Sequence, residues 1–219
     1  MKKKLALIHT VPWYYNAINK PFAEPFLEAN PDVEIINIMD DSLLTEALDN
    51  QGPTLNIIRR MVLYYEAAAA TGADLLMCSC TTMGPGTRAA RELIDKPIMN
   101  IDEPMAKEAA AIGGKLGVFA TVPTSAPATR ELLRLESQAS GKAIEIKTVI
   151  CQEAFTKLQN GDVAGHDEMV IGELQKLEKE VDVIVLGQIS LAQVTFDSKV
   201  PVLQVGHSGF AAAGELLKA

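Results

Sequence analysis

An internal repeat constrains the fold of this chain more than any other feature. Leu5-Ala6-Leu7-Ile8-His9-Thr10 resembles Leu116-Gly117-Val118-Phe119-Ala120-Thr121, 111 residues later. Glu34-Ile35-Ile36 resembles Glu145-Ile146-Lys147 at the same offset of 111. Ala73-Asp74-Leu75-Leu76 matches Val181-Asp182-Val183-Ile184 at an offset of 108, and Lys96-Pro97-Ile98 matches Val200-Pro201-Val202 at 104. One short apolar run repeats easily by chance. Four runs in the same order, each with its own flanking residues, imply two copies of one α/β unit.

Each copy alternates short apolar runs with longer helical patterns. The runs are 5–8, 33–38, 75–78 and 97–100, then 116–119, 144–150, 183–186 and 201–205. Between them, stretches such as 53–71 and 124–140 carry apolar residues at three- and four-residue spacing. Strands alternating with helices predict parallel sheets covered on both faces. The expected architecture is α/β with two pseudo-symmetric lobes, each a parallel sheet of about four strands flanked by helices. Residues 1–100 plus 200–219, including a C-terminal helix around 210–217, would form lobe one. Residues 101–199 would form lobe two. Ligands of open α/β sheets sit beyond the carboxyl ends of the strands, so the site is expected in a cleft where the strand ends of both lobes converge.

Composition removes several classes of function. The chain has 219 residues and a net charge of −8, which argues against nucleic acid, whose phosphates demand a basic face. An anionic substrate stays open, because a site can be locally rich in N–H donors. No apolar run approaches the ~18 residues of a membrane span. Lys2-Lys3-Lys4 and the apolar 5–8 run imitate a signal peptide briefly, then His9 and Pro12-Trp13-Tyr14-Tyr15 end it. The segment reads as the first strand of a cytoplasmic protein. If the chain assembles, a homodimer is the expected form. The cysteines are Cys78, Cys80 and Cys151. An odd, low count is no disulfide framework and fits a reducing compartment.

The chemistry concentrates after the 75–78 run, in Cys78-Ser79-Cys80-Thr81-Thr82-Met83-Gly84-Pro85-Gly86. The strand should end near Cys78 or Ser79, leaving Cys80, Thr81 and Thr82 on the turn into a helix. Free N–H groups there would attract carboxylate oxygens and lower a thiol's pKa. Gly84 and Gly86 would let the backbone approach a ligand. Cys78 reads as a packed strand residue and Cys151 as structural. A metal site is not expected, since only His9, His166 and His207 could join the cysteines. No cofactor is expected.

This constellation resembles the aspartate/glutamate/hydantoin racemase superfamily. Cys80-Thr81-Thr82 is similar to that family's Cys-Asn-Thr motif, and Gly117–Thr124 to its Gly-x-x-Ala-Thr-x-x-Thr segment. The resemblance spans essentially the whole chain and implies two pseudo-symmetric α/β lobes. It also implies cofactor-independent proton transfer at the carbon α to a carboxylate, between two cysteines on opposite faces of a small substrate. Cys80 would be one acid/base, and Thr81, Thr82, Thr121 and Thr124 would hold the substrate.

The chain departs from that pattern at the second cysteine. Adding the 108 offset to position 80 leads to Gln188, in Leu186-Gly187-Gln188-Ile189-Ser190, where the family has Gly-Cys-Thr. An amide cannot carry a catalytic proton, so Gln188 and Ser190 are expected to orient substrate. Another base would then be needed: His9, His207, Asp102 and Glu103 all lie near expected strand ends, although the two acids also suit helix capping. Otherwise Cys80 works alone, as in the superfamily's decarboxylases, or as a nucleophile, as in its maleate isomerases. A carboxylate-binding protein without catalysis is the reading from another class. Trp13, Tyr14 and Tyr15 would form a lid or pack the first helix. His166-Asp167-Glu168 would open a surface helix.

Overall fold

The computed structural model describes residues 2–218. In chain order the elements are β1 (Lys3–His9), a π-helical segment (Tyr15–Ala23), α1 (Glu24–Ala29), β2 (Val33–Met39), α2 (Ser42–Asp49), α3 (Leu55–Ala70), β3 (Leu75–Cys78), a 3-10 turn (Thr81–Met83), α4 (Gly84–Arg91) and β4 (Ile98–Asn100). Then come α5 (Glu103–Ile112), β5 (Gly114–Ala120), α6 (Ser125–Ser140), β6 (Ile144–Ile150), α7 (Gln152–Gln159), α8 (Val163–Leu177), β7 (Val183–Leu186), a second 3-10 turn (Ile189–Leu191), β8 (Val202–Gln204) and α9 (His207–Lys218). All eight apolar runs are strands. Among the described residues, no helix is long and apolar enough to cross a membrane.

Two four-stranded sheets carry the repeat, in orders β2-β1-β3-β4 and β6-β5-β7-β8. Every pairing is parallel. The sequence dictates which strands are central. Leu75-Leu76-Met77-Cys78 and Val183-Ile184-Val185-Leu186 are buried throughout, as strands covered by helices on both faces must be. The edge strands β2 and β6 alternate polar and apolar residues and stay half exposed.

The chain divides into two compact units, one running to Glu103 and resuming at Gly206, the other Pro104–Val205. The return comes later than the expected 200, because β8 is hydrogen-bonded in register to β7, with Val185 opposite Leu203. Each unit has its own core. In the first, Tyr65, Met61, Ile57, Leu76 and Cys78 pack together, and α9 adds Phe210, whose ring lies 5.4 Å from that of Phe26. In the second, Phe119, Val170, Leu174, Leu177 and Ile184 do the same. Thr54 caps α3, its hydroxyl accepting from the Ile57 N–H at 3.2 Å.

Gly86 serves packing rather than a ligand. A Cβ there would lie 2.7 Å from the Met61 Cβ, so the glycine lets α4 press against α3. The surface helix begins before His166, at Val163. Asp162 is its cap, accepting from the Gly165 N–H at 2.9 Å. His166 is a buried residue of its second turn, with Nδ1 2.7 Å from Asp167 Oδ1.

Candidate active site

Cys80 lies two residues beyond β3, in extended conformation (φ −123°, ψ 117°), as the cap of the Thr81–Met83 turn. Its sulfur accepts from the Thr10 hydroxyl and from the backbone N–H groups of Thr82 and Met83. Thr10, at the carboxyl end of β1, is 2% exposed. Adjacent parallel strands β1 and β3 bring these two residues together, with Ile8 opposite Cys78. The Cys80 side chain is half buried. Its thiol differs from expectation in one respect. Burial pushes the pKa up, and the Asp102 charge adds to this, so the three donors do not bring it below the ordinary value.

A buried polar network supports this turn. Asn100 donates from Nδ2 to Asp102 Oδ1 at 2.7 Å and to the Cys80 carbonyl at 3.4 Å. Its own Oδ1 accepts from the Thr87 hydroxyl at 3.4 Å, and Thr87 bonds to the Tyr65 hydroxyl at 2.9 Å. Thr81 bonds to the Asp102 carboxyl. Asp102 is 1% exposed. Burial, then repulsion from Glu103, raises its pKa to about 7. Glu103 is committed elsewhere, to Arg91 and to the Asn100 N–H at 3.0 Å.

The acid has a thermodynamic consequence. Asp102 ionises near ~4 in an unfolded chain and at about 7 in the fold. Between those values the folded state holds the proton more tightly. The stability it contributes is complete below ~4 and is lost as pH rises through about 7. Asp102→Asn is therefore expected to be more stable than wild type at pH 8, by up to about 4 kcal/mol, and to lose that advantage toward pH 4. Urea unfolding across this range is the check, and a pH-independent difference would contradict it.

The histidine expectations change. His9 is fully buried, with Nε2 2.8 Å from Asn37 Oδ1 and Nδ1 3.1 Å from the Ser79 hydroxyl. Burial lowers its pKa; the ring donates from Nε2 to Asn37, and the one Ser79 hydroxyl proton is shared between His9 Nδ1 and the Ile8 carbonyl at 3.2 Å. Both nitrogens take part in bonds that tie β1 to its neighbours. Tyr14 stacks on this ring at 4.4 Å, whereas Trp13 and Tyr15 are exposed. His207 is exposed at the start of α9, edge-on to Phe22 at 4.9 Å. Among the described residues it forms no hydrogen bond or ring contact with the Cys80 cluster. Cys78 is sealed in the core, and its pKa is raised well above the ordinary thiol value by burial. Cys151 caps α7 and packs against the second unit's core.

Gln188 occupies the position equivalent to Cys80, with nearly the same backbone (φ −123°, ψ 128°) and the same following 3-10 turn. Its side chain is spent within its own unit. Oε1 accepts from the N–H groups of Thr121 (3.2 Å) and Val122 (3.0 Å) and from the Ser125 hydroxyl (3.1 Å). Nε2 donates to Thr121 Oγ1 at 2.8 Å and to Ser190 Oγ. Gln188, Thr121 and Ser190, expected to orient substrate, thus bind one another. Thr124 is buried at the start of α6. Gly187 permits this arrangement, since a Cβ there would lie 2.3 Å from Thr129 Oγ1. Among the described residues, no group of three His, Cys, Asp or Glu could hold a metal ion.

Sequence reasoning passed over Thr10 and Asn100. Thr10 was detectable, because the repeat pairs it with Thr121. Asn100 had no signal beyond its place at a strand end.

The family profile Asp/Glu/Hydantoin racemase matches residues 14–213. A glutamate racemase from Corynebacterium kroppenstedtii is 29% identical over 143 residues, covering 62% of this chain and 48% of that protein. The chain thus spans about half the length of this curated relative. An aspartate racemase homologue from Pyrococcus horikoshii OT3 superposes with a TM-score of 0.72 at 16% identity, covering 100% of both chains. Allantoin racemase from Klebsiella pneumoniae gives 0.62 at 20% identity, over 99% of this chain and 88% of the other. The profile match across nearly the whole chain, on a duplicated parallel fold with Cys80 at a strand end, shows that the protein belongs to the Asp/Glu/hydantoin racemase family.

Proposed function

We propose that this protein is a cofactor-independent enzyme that moves a proton at the carbon α to the carboxylate of a small acid, with Cys80 as its acid/base. The observation that carries this reading is the setting of the sulfur. It is half buried at a strand end, and one hydroxyl and two backbone N–H groups converge on it. Those donors stabilise a thiolate whenever it forms. Thr82, on the same turn, is the proposed donor to the substrate's oxygens, where charge accumulates as the α-hydrogen leaves, while the Thr81 hydroxyl is held by Asp102. Aspartate and glutamate, the acids named for two of its relatives, are the first candidates, and allantoin, whose reacting carbon lies α to a ring carbonyl instead of a carboxylate, is the comparison substrate.

Gln188 favours a second reading. One acid/base on one face exchanges a hydrogen but does not invert the centre unless another donor serves the opposite face. An amide whose oxygen and nitrogen are both engaged cannot be that donor. A single-cysteine decarboxylase or cis–trans isomerase needs no second cysteine. In the first, Cys80 protonates the carbanion left by CO₂; in the second, it adds to the double bond as a nucleophile.

The test is incubation in D₂O with each enantiomer of aspartate, glutamate and allantoin, read by loss of the α-proton signal and by chiral chromatography. Deuterium incorporation supports proton transfer, and inversion distinguishes racemisation from one-sided exchange. Ligand-induced thermal stabilisation without exchange would replace the enzyme by a carboxylate-binding protein.

A further inference from the structure

Asp102 stands apart from the other members of the network under the Cys80 turn, which are neutral. Among the described residues it is the buried carboxyl side chain, at 1% exposure. No described Lys, Arg or His forms an ion pair with it. Its partners are neutral: Asn100 Nδ2 at 2.7 Å and the Thr81 hydroxyl. Both lead to Cys80, Asn100 through the 3.4 Å bond to the Cys80 carbonyl and Thr81 as its next residue. A buried carboxyl without a counter-charge is costly, and here Asn100 joins it to the backbone of the residue that the proposed reaction uses.

We infer that Asp102 is a positioning residue that governs the protonation of Cys80, so that Cys80 rests as a thiol and serves to give a proton to a substrate carbanion. The inference rests on Cys80 being the acid/base, and it adds which proton state that residue starts from. Two negative charges in a poorly solvated site repel strongly. An ionised Asp102 therefore opposes the thiolate, while a protonated one permits it. In the donating step, loss of CO₂ from the substrate breaks a C–C bond and leaves its electron pair on carbon, and that pair takes the thiol hydrogen. The S–H bond breaks, a C–H bond forms, and the thiolate left behind recovers its proton from water. The energetic direction agrees, since the thiol lies above its ordinary value and Asp102 at about 7.

The other titratable and charged groups around this pair are few. Cys78 on β3 is sealed and protonated. Glu103 on α5 is paired with Arg91 of α4. Arg88 of α4 approaches Asn100, its guanidinium 3.5 Å and the Asn100 Nδ2 3.9 Å from where a Gly84 Cβ would stand. His9 of β1 bonds to Ser79 beside Cys80, and His207 of α9 meets Phe22.

The experiment follows the rate of Cys80 alkylation by iodoacetamide between pH 5.5 and 10.5, with the site read by peptide fragmentation. The rate reports the thiolate fraction. Asp102→Asn keeps the shape and the Asn100 and Thr81 neighbours but removes the charge. It is expected to lower the alkylation midpoint by about one pH unit, making Cys80 about tenfold more reactive at pH 7.5. Asp102→Ser provides a second neutral variant should the first fold poorly. An unchanged midpoint in a folded neutral variant overturns the inference. A lowered midpoint with no solvent exchange on any substrate leaves the pairing standing and removes the catalytic reading. Solvent exchange in the wild type with an unshifted midpoint does the reverse.

Discussion

Replacing Cys80 by alanine should reduce solvent deuterium incorporation by at least about 10³-fold, within the range removed with a positioned acid/base. The fold should survive, with a change in Tm of no more than a few degrees, because the side chain is small and half buried. Cys80→Ser sharpens the comparison. A serine hydroxyl can keep the contacts with Thr10, Thr82 and Met83, but it is far too weak an acid to exchange protons with carbon near neutral pH. If activity followed the hydrogen-bond network, serine would retain it. If it follows the thiol, both variants are silent. Exchange by the alanine variant at the wild-type rate would end the assignment of Cys80.

The second large effect is on stability. Gln188→Leu should destabilise the protein by about 2–4 kcal/mol. Two backbone N–H groups lose the oxygen they share and Thr121 Oγ1 loses its donor, while the Ser125 hydroxyl keeps the Val122 carbonyl at 2.8 Å. These groups lie at the end of β5 and the start of α6, where refilling with water would require the turn to open. Gln188→Glu is the control. Its carboxylate accepts from the same N–H groups, and the Thr121 and Ser190 hydroxyls can rotate to donate to it. At neutral pH that variant should also lose stability, because its carboxylate is buried without a counter-charge, and it should recover as the carboxyl is protonated toward low pH. Denaturant titration compares the three proteins, and a leucine variant as stable as wild type would show that the network contributes nothing.

The architecture was legible because it depends on local pattern. Leu75–Cys78 and Val183–Leu186 are continuous apolar runs, and such runs between helical segments can only be central parallel strands. The repeat paired them in register, and the two sheets have matching strand orders. The site was less legible. Its members come from the ends of β1, β3 and β4, separated by 70 and 20 residues along the chain. His9 shows the limit: its place at a strand end was legible, but its burial and its bonds to Asn37 and Ser79 were not. Glycine spacing misled in the same way, since Gly86 answers to Met61 on another helix.

By itself the sequence determined the duplicated α/β plan, the strands, the placing of Cys80 at a strand end and the substitution of Gln188 for a thiol. These follow from periodicity and offset, which are properties of neighbours along the chain. Only the tertiary structure decided which polar groups meet and in what state of protonation. Hydrogen bonding and desolvation act over a few ångströms in space, so the bridging of Asp102 to the Cys80 carbonyl by Asn100 and the closing of Gln188 onto Thr121 have no counterpart in sequence distance.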